Sequence, residues 1–308
     1  SLERLAETRE VIAQFELHQY HRAKGNTLEA IKWAMRAAEQ DYPEAQRYLR
    51  ETEFSATYYL QLGRWYESGE FVTRQMKSAV DFYNKSSDLK NPEAAFHLGE
   101  LYETGARDIP KNPEVACAYY IKAAQQKHTE SLPRLIPLVE ALAKPELFYV
   151  LAEIYRTVLG NVPSAIREYK RAADRGHVDA LTQLNNIASS DAESAYAIAQ
   201  KYESEVELAG HLQKALIYYE VALKNGHGHA RSRLKKLGLA GNVEAQYALH
   251  HHYLSQGNTL EAIKWAMRGE EKGHAALRGY LNTTQFNVAH CFQIAKWYES
   301  EEVVIKNI

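Results

Sequence analysis

Cysteine is nearly absent. Cys117 and Cys291 are the two in 308 residues, which leaves no basis for a disulfide-framed fold. Both fall in helical patterns far apart and read as two buried thiols. Long apolar runs are missing too: nothing approaches the roughly 20 residues that a membrane-spanning helix needs. No secretory leader is visible, although the chain opens at Ser1-Leu2 without Met, as a mature product or an excised piece would. Excess charge of one sign is lacking. The net charge is -2 and the pI about 6.7, which argues against a partner held by phosphate contacts. One local basic cluster, Arg231, Arg233, Lys235 and Lys236, reads as a solvated helix face. The serine-hydrolase elbow, the zinc-protease helix, the P-loop and the paired-cysteine motif do not occur. Their absence lowers an enzymatic reading without removing it, because catalytic triads need not be contiguous.

What is present is repetition. GNTLEAIKWAMR at 25–36 recurs letter for letter at 257–268, a shift of 232 residues, and WYES at 65–68 recurs at 297–300. The match runs from 11–72 to 243–304, so the segment is duplicated. A shorter period lies inside it. An element of the form Ala, any, any, aromatic, usually followed by small residues, starts at Ala30, Ala79, Ala116, Ala165, Ala215 and Ala262, at spacings of 49, 37, 49, 50 and 47 residues.

Ala30, Trp33 and Ala37, with their equivalents, share one face of a helix. Asn26 with Glu29, and Asn258 with Glu261, resemble capping boxes. Pro113 and Pro163 suit a first helical turn, and Gly176, Gly226 and Gly273 suit the left-handed residue that ends a helix. A first helix precedes each of these elements, as LGRWY (62–66), LGELY (98–102), LAEIY (151–155), IAQKY (198–202), LHHHY (249–253) and IAKWY (294–298). Its small residues, Gly63, Gly99, Ala152, Ala199 and Ala295, are expected where two helices touch; His250 departs from this and should loosen the contact. The longer units carry a further short helical pattern at 45–49, 180–184 and 230–234, which Pro133 and Pro137 should interrupt in the third unit.

The pairing of AAFHLGELYETG (94–105) with ACAYYIKAAQQKH (116–128), and AIREYKRAADRGH (165–177), resembles the Sel-one-like repeat family, relatives of tetratricopeptide repeats. The resemblance covers nearly the whole chain. It implies an all-α, right-handed superhelical solenoid of stacked helix pairs, some units with an extra short helix. The expected organisation is one array over 1–308, about six and a half units, and a fragment of a longer solenoid. The family also implies a ligand-binding concave surface, adaptor roles and, for many bacterial members, a periplasmic or secreted location. The lengthened units and the duplication look somewhat like bacterial enhanced-entry proteins, which suggests virulence or host interaction.

In such solenoids the first helix lines the concave side. The residues expected to meet a partner are Gln61, Arg64, Trp65, His97, Glu100, Glu153, Gln200, His251, Lys296 and Trp297. Their mixed charge suits a protein or peptide better than a phosphate backbone. Trp65 and Trp297 are read as either ligand contacts or packing between units, and Trp33 and Trp265 as packing. Three successive histidines, His250, His251 and His252, point about 100° apart on a helix and do not converge on one ion without His18 or His290 from elsewhere. Carboxylate pairs such as Glu205 with Glu207, and Glu301 with Glu302, read as solvated turns. The expectation is a non-enzymatic interaction scaffold without cofactor, metal, nucleic acid or membrane span, a monomer or a member of a larger complex. The alternatives are an enzyme with its site inside the array and a helical-repeat RNA reader.

The packing face yields a test. Ala37→Leu should overpack the seam between helices and lower stability by about 1–3 kcal/mol in denaturant unfolding. An unchanged melting temperature would show that the face is misassigned.

Overall fold

The computed structural model describes residues 2–106, 108–205, 208, 210–300 and 303. Glu207, Glu301, Glu302 and Val304 lie outside the described residues. The fold is an all-α repeat solenoid, and the chain divides into two compact units, Ser1–Gly160 and Asn161–Ile308. Among the described residues no strand forms; Ala106 and Ile109 make a single bridge.

The first unit holds α1 (Leu2–Glu7), α2 (Val11–Ala23), α3 (Thr27–Glu39), α4 (Pro43–Glu51), α5 (Ala56–Ser68), α6 (Met76–Asp88), α7 (Pro92–Thr104), α8 (Pro113–Gln125), α9 (Ser131–Leu142) and α10 (Pro145–Glu153), the last followed by a π turn, Ile154–Val158. The second holds α11 (Val162–Asp174), α12 (Val178–Ser190), α13 (Ala192–Glu203), α14 (His211–Lys224), α15 (Gly228–Leu239), α16 (Val243–Ser255), α17 (Thr259–Glu271), α18 (Ala275–Thr283) and α19 (Val288–Ser300). Helices α2 to α5 and α16 to α19 begin and end at the same places once shifted by 232 residues. The duplication is thus carried into the fold.

Local chemistry sets the boundaries. Asn112 and Asn161 accept the backbone N–H of Val115 and Ser164, with Pro113 and Pro163 in the first turn where no N–H is needed. Asn258 accepts from Glu261 N at 3.2 Å, whereas Asn26 makes no such bond. Neither is a full capping box. The N–H of Asn26 is already bonded to His21 O, and that of Asn258 to Tyr253 O, each at 2.9 Å, so the glutamates have no donor to receive. Gly176, Gly226 and Gly273 end their helices at φ of 91°, 88° and 89°. The histidine after each bonds its N–H back into the finished helix. Its Nδ1 then accepts from the next helix, at 3.3, 3.2 and 3.3 Å for His177, His227 and His274. One residue closes a helix and opens the next.

The short patterns are separate helices, α4, α12 and α15, held by buried Ala45, Ala180 with Leu184, and Ala230 with Leu234. Helix α9 runs through Pro133 and Pro137 without interruption, contrary to expectation. Pro133 sits in the first turn, and Pro137 forfeits one backbone bond while Leu135 and Val139 stay buried around it.

The repeated seam is a glycine against a tyrosine. Tyr83 and Tyr120 are fully buried, lying over Gly63 and Gly99. A Cβ at Gly99 would stand 2.5 Å from the Tyr120 ring. Ala152 and Ala199 are fully buried, as expected. Ala295 is exposed, because among the described residues no helix follows α19 to cover it. His250 does not loosen its contact. It is 2% exposed and its Nδ1 lies 2.9 Å from Ala262 O on α17, just as His18 meets Ala30 O on α3 at 2.9 Å. Burial lowers the pKa of both rings, which favours the neutral form. Cys117 is buried and its thiol is pushed up to about 11 by that burial; Cys291 is exposed, contrary to expectation.

Gly99→Ala should therefore cost about 1–3 kcal/mol in urea unfolding, because the ring it meets has nowhere to move. A loss under half a kcal/mol, on the order of a neutral surface change, would show that the seam yields.

Candidate binding surface

In the first unit, α5, α7 and α9 carry a continuous row of charge. Arg64 on α5 pairs with Glu93 on α7. His97 lies 3.3 Å from Glu100 and its ring stacks on Tyr83 at 5.9 Å. Arg134 on α9 reaches Glu100 at 3.9 Å and Glu103 at 3.8 Å. Arg64, His97, Glu100 and the partly buried Gln61 thus share one region. Glu153 lies on α10, 2.9 Å from Arg156. In the second unit Gln200, His251 and Lys296 are exposed, with the Lys296 ammonium 4.6 Å from the Phe292 ring.

Trp65 and Trp297 are corrections. They are 7% and 6% exposed and belong to the core. Trp65 lies three residues after Leu62, on the face that packs back on Ile31 and Met35 of α3, and it meets Phe71 edge-on at 5.3 Å. Trp297 repeats this against Ile263 and Met267 of α17. Neither ring is free for a partner. Trp33 and Trp265 are also buried, as expected.

Beneath the surface row lies a feature that the sequence reading missed. The glutamate after the recurrent tyrosine of the first helix accepts from the buried tyrosine of the second. Tyr83 donates to Glu67 at 2.5 Å, Tyr120 to Glu103 at 2.6 Å and Tyr219 to Glu203 at 2.5 Å. Where a short third helix follows, it adds a cation to the same carboxylate: Arg134 beside Glu103 and Arg233 on Glu203. Burial alone would raise the pKa of Glu203, but Arg233 and Tyr219 outweigh it and hold the carboxyl below its ordinary range. The signal was in the sequence, as Tyr-Glu at 66–67, 102–103 and 202–203.

One group of metal-ligand type occurs among the described residues: Asp174, Glu205 and His211, within 4.8 Å of one another. The ammonium of Lys170, 5% exposed, lies 2.8 Å from Asp174 and 2.6 Å from Glu205, and Lys214 adds a contact to Asp174 at 3.0 Å. Burial would raise the pKa of Asp174, yet the two lysines lower it overall. The cation position is filled by the chain's own lysine. Glu205 lies exposed in a turn, as expected, and also pairs with Lys170. Lys170 stands where other units have Met35, Asn84, Ile121, Glu220 and Met267.

Recurring helix pairs, most with a core tyrosine at the same place in the second helix and with variable polar residues outside, define a helical-repeat protein. The model of the Sel1 repeat matches at 19–49, 57–91, 92–128 and 212–227, segments that cover the end of α2 with α3 and most of α4, α5 with α6, α7 with α8, and α14. A Sel1 repeat protein from Oxalobacter formigenes is 30% identical over 44% of this chain and 93% of its own length, with a TM-score of 0.26. A protective antigen present in uropathogenic Escherichia coli strains, displaying an SLR fold, is 18% identical over 99% of this chain and 76% of its own, with a TM-score of 0.23. The chain belongs to the Sel1 repeat family. No helix among the described residues is long and apolar enough to cross a membrane.

The carboxylate latch has a pH signature. The folded pKa of Glu203 lies below the ordinary 4.5. Its stabilisation is therefore complete above that pH and is lost as pH falls through the lowered value. Glu203→Gln should be less stable than the wild type near neutrality, and its melting temperature should fall less between neutral and acidic buffer. Parallel melting curves against pH would rule out this latch as a contributor.

Proposed function

We propose that the chain is a non-catalytic scaffold that holds partner proteins or peptides on the exposed faces of its first helices. One observation supports this above the others. The fold places its recurrent residues, Leu62 with Gly63 and Leu98 with Gly99, in the core, and leaves the varied ones, Gln61, Arg64, His97 and Glu100, at the surface. The surface ion pairs are half exposed, with Arg64 at 41% and Glu93 at 49%. Pairs of that kind contribute about 0–1 kcal/mol, so a partner's charges can replace them at little cost. Arginine beside partly buried aromatic rings is also a common anchor of interfaces. The acid nearest to a catalytic arrangement, Asp174, has a lowered pKa and two lysine partners, which makes it a poor general base. The repeated element recurs across residue 160, from Ala116 to Ala165 and on to Ala215, which supports reading both units as parts of one repeat series.

Arg64→Ala combined with Glu100→Ala should abolish capture of a partner that binds the first unit, while melting shifts by no more than about 1–2 kcal/mol. Trp65→Ala should act otherwise: a loss of about 3–5 kcal/mol, as for a large core aromatic, with binding lost only through unfolding. Full capture by the folded double variant, measured by calorimetry, places the partner elsewhere.

A further inference from the structure

Within the second unit, α14, α15 and α16 leave an open cleft of about 900 Å³. Its apolar lining consists of Leu223 from α14, and Ala248 with the ring of Tyr253 from α16. Arg231 from α15 and His252 from α16 stand at its sides, and the Lys235 ammonium lies 5.3 Å from the centre of the Tyr253 ring.

The charge of this cleft is one-sided. Glu220 is the carboxylate among the described lining residues, and Lys224 on the same helix holds it at 3.0 Å. Arg231 and Lys235 have no carboxylate partner among the described residues. Arg233, their neighbour, is taken up by Glu203; these two are not. His252 registers the resulting field. Burial first, then Arg231 and Lys235, lower its pKa, and no carboxylate offsets them. Tyr253, 8% exposed, borders the cleft with its ring. Arg231 in the cleft, Lys235 beside the Tyr253 ring that lines it, and the apolar lining side chains are the complement of a carboxylate beside an apolar side chain.

We propose that this cleft binds an acidic segment of a partner protein, with a carboxylate on Arg231 and Lys235 and a neighbouring apolar side chain on Leu223, Ala248 and Tyr253. The proposal rests on the scaffold reading and specifies the chemistry of one partner. Arginine receives a carboxylate through two parallel hydrogen bonds, and the apolar lining selects against a bare phosphate chain, which has nothing to place there.

The test uses the full chain and a short fluorescein-labelled peptide of Asp, Glu and Leu, followed by anisotropy. Saturable binding is expected. It should weaken by about ten-fold or more in Arg231→Ala with Lys235→Ala, the range for a lost charged hydrogen bond. It should weaken as well when Leu in the peptide is replaced by Ser, and as salt rises. Circular dichroism checks that each variant stays folded. Absence of saturable binding overturns the proposal. Equal affinity for a peptide with Lys in place of the acids does so as well, and so does undiminished binding by the double variant. Tighter binding of a single-stranded oligonucleotide than of the peptide also overturns it. Partner capture through Arg64 and Glu100 is measured separately on the first unit, so a silent cleft beside an active first unit removes this inference and leaves the scaffold reading in place.

Discussion

Everything in this fold depends on how closely two helices approach at one point. Glycine at 63 and 99 lets the second helix come near enough for a tyrosine ring to lie flat over bare backbone. The ring then fills the space that a side chain would have taken. Its far end emerges between helices, where its hydroxyl meets a glutamate. Close packing and a satisfied polar tip thus come from one residue. Where the small residue is replaced by histidine, at 18 and 250, the same logic is solved differently: the ring enters the seam and bonds a backbone carbonyl of the partner helix.

This seam decides what is left for the surface. Core positions of the first helix are consumed on two sides, toward its own second helix and back toward the previous unit, as the burial of Leu62 and Trp65 shows. The remaining arc is narrow and polar. Its carboxylates are not all free to vary, since Glu67, Glu103 and Glu203 are tied to buried tyrosines. Two of the third helices, α9 and α15, lend an arginine to that tie. In those two units the added helix brings a cation to the surface carboxylate as well.

Much of the architecture was legible because repetition averages out local ambiguity. Six copies of one aromatic pattern fix a helix that one copy leaves open, and Gly176, Gly226 and Gly273 announce their stops through a conformation few other residues tolerate. The site was less legible. Trp65 sits where other units have Leu101, Ile154, Lys201 and His252; that variety reads as exposure, yet the previous unit's α3 covers it. A single-helix pattern does not register a second neighbour. Pro137 was misjudged for a related reason, since a lost backbone bond is weighed against burial that only the tertiary fold supplies. The tyrosine–glutamate latch left a recurring Tyr-Glu, but its partner lies on another helix; Lys170 with Glu205 joins residues 35 apart, and that pair leaves no periodic trace.

The duplicated segment carries a consequence for how the chain reaches its fold. The socket on α3 that receives His18 and the socket on α17 that receives His250 are built from the same residues. Each histidine helix therefore has two chemically equivalent destinations in one polypeptide. Selection between them falls to chain connectivity: closing the short local turn in place of a loop more than two hundred residues longer favours the correct match by about 2–3 kcal/mol. During synthesis the advantage is greater still, because the earlier pair is complete before its double has left the ribosome. A denatured chain refolding from full length lacks that head start, and at high concentration the second copy of the segment can be supplied by a neighbouring molecule.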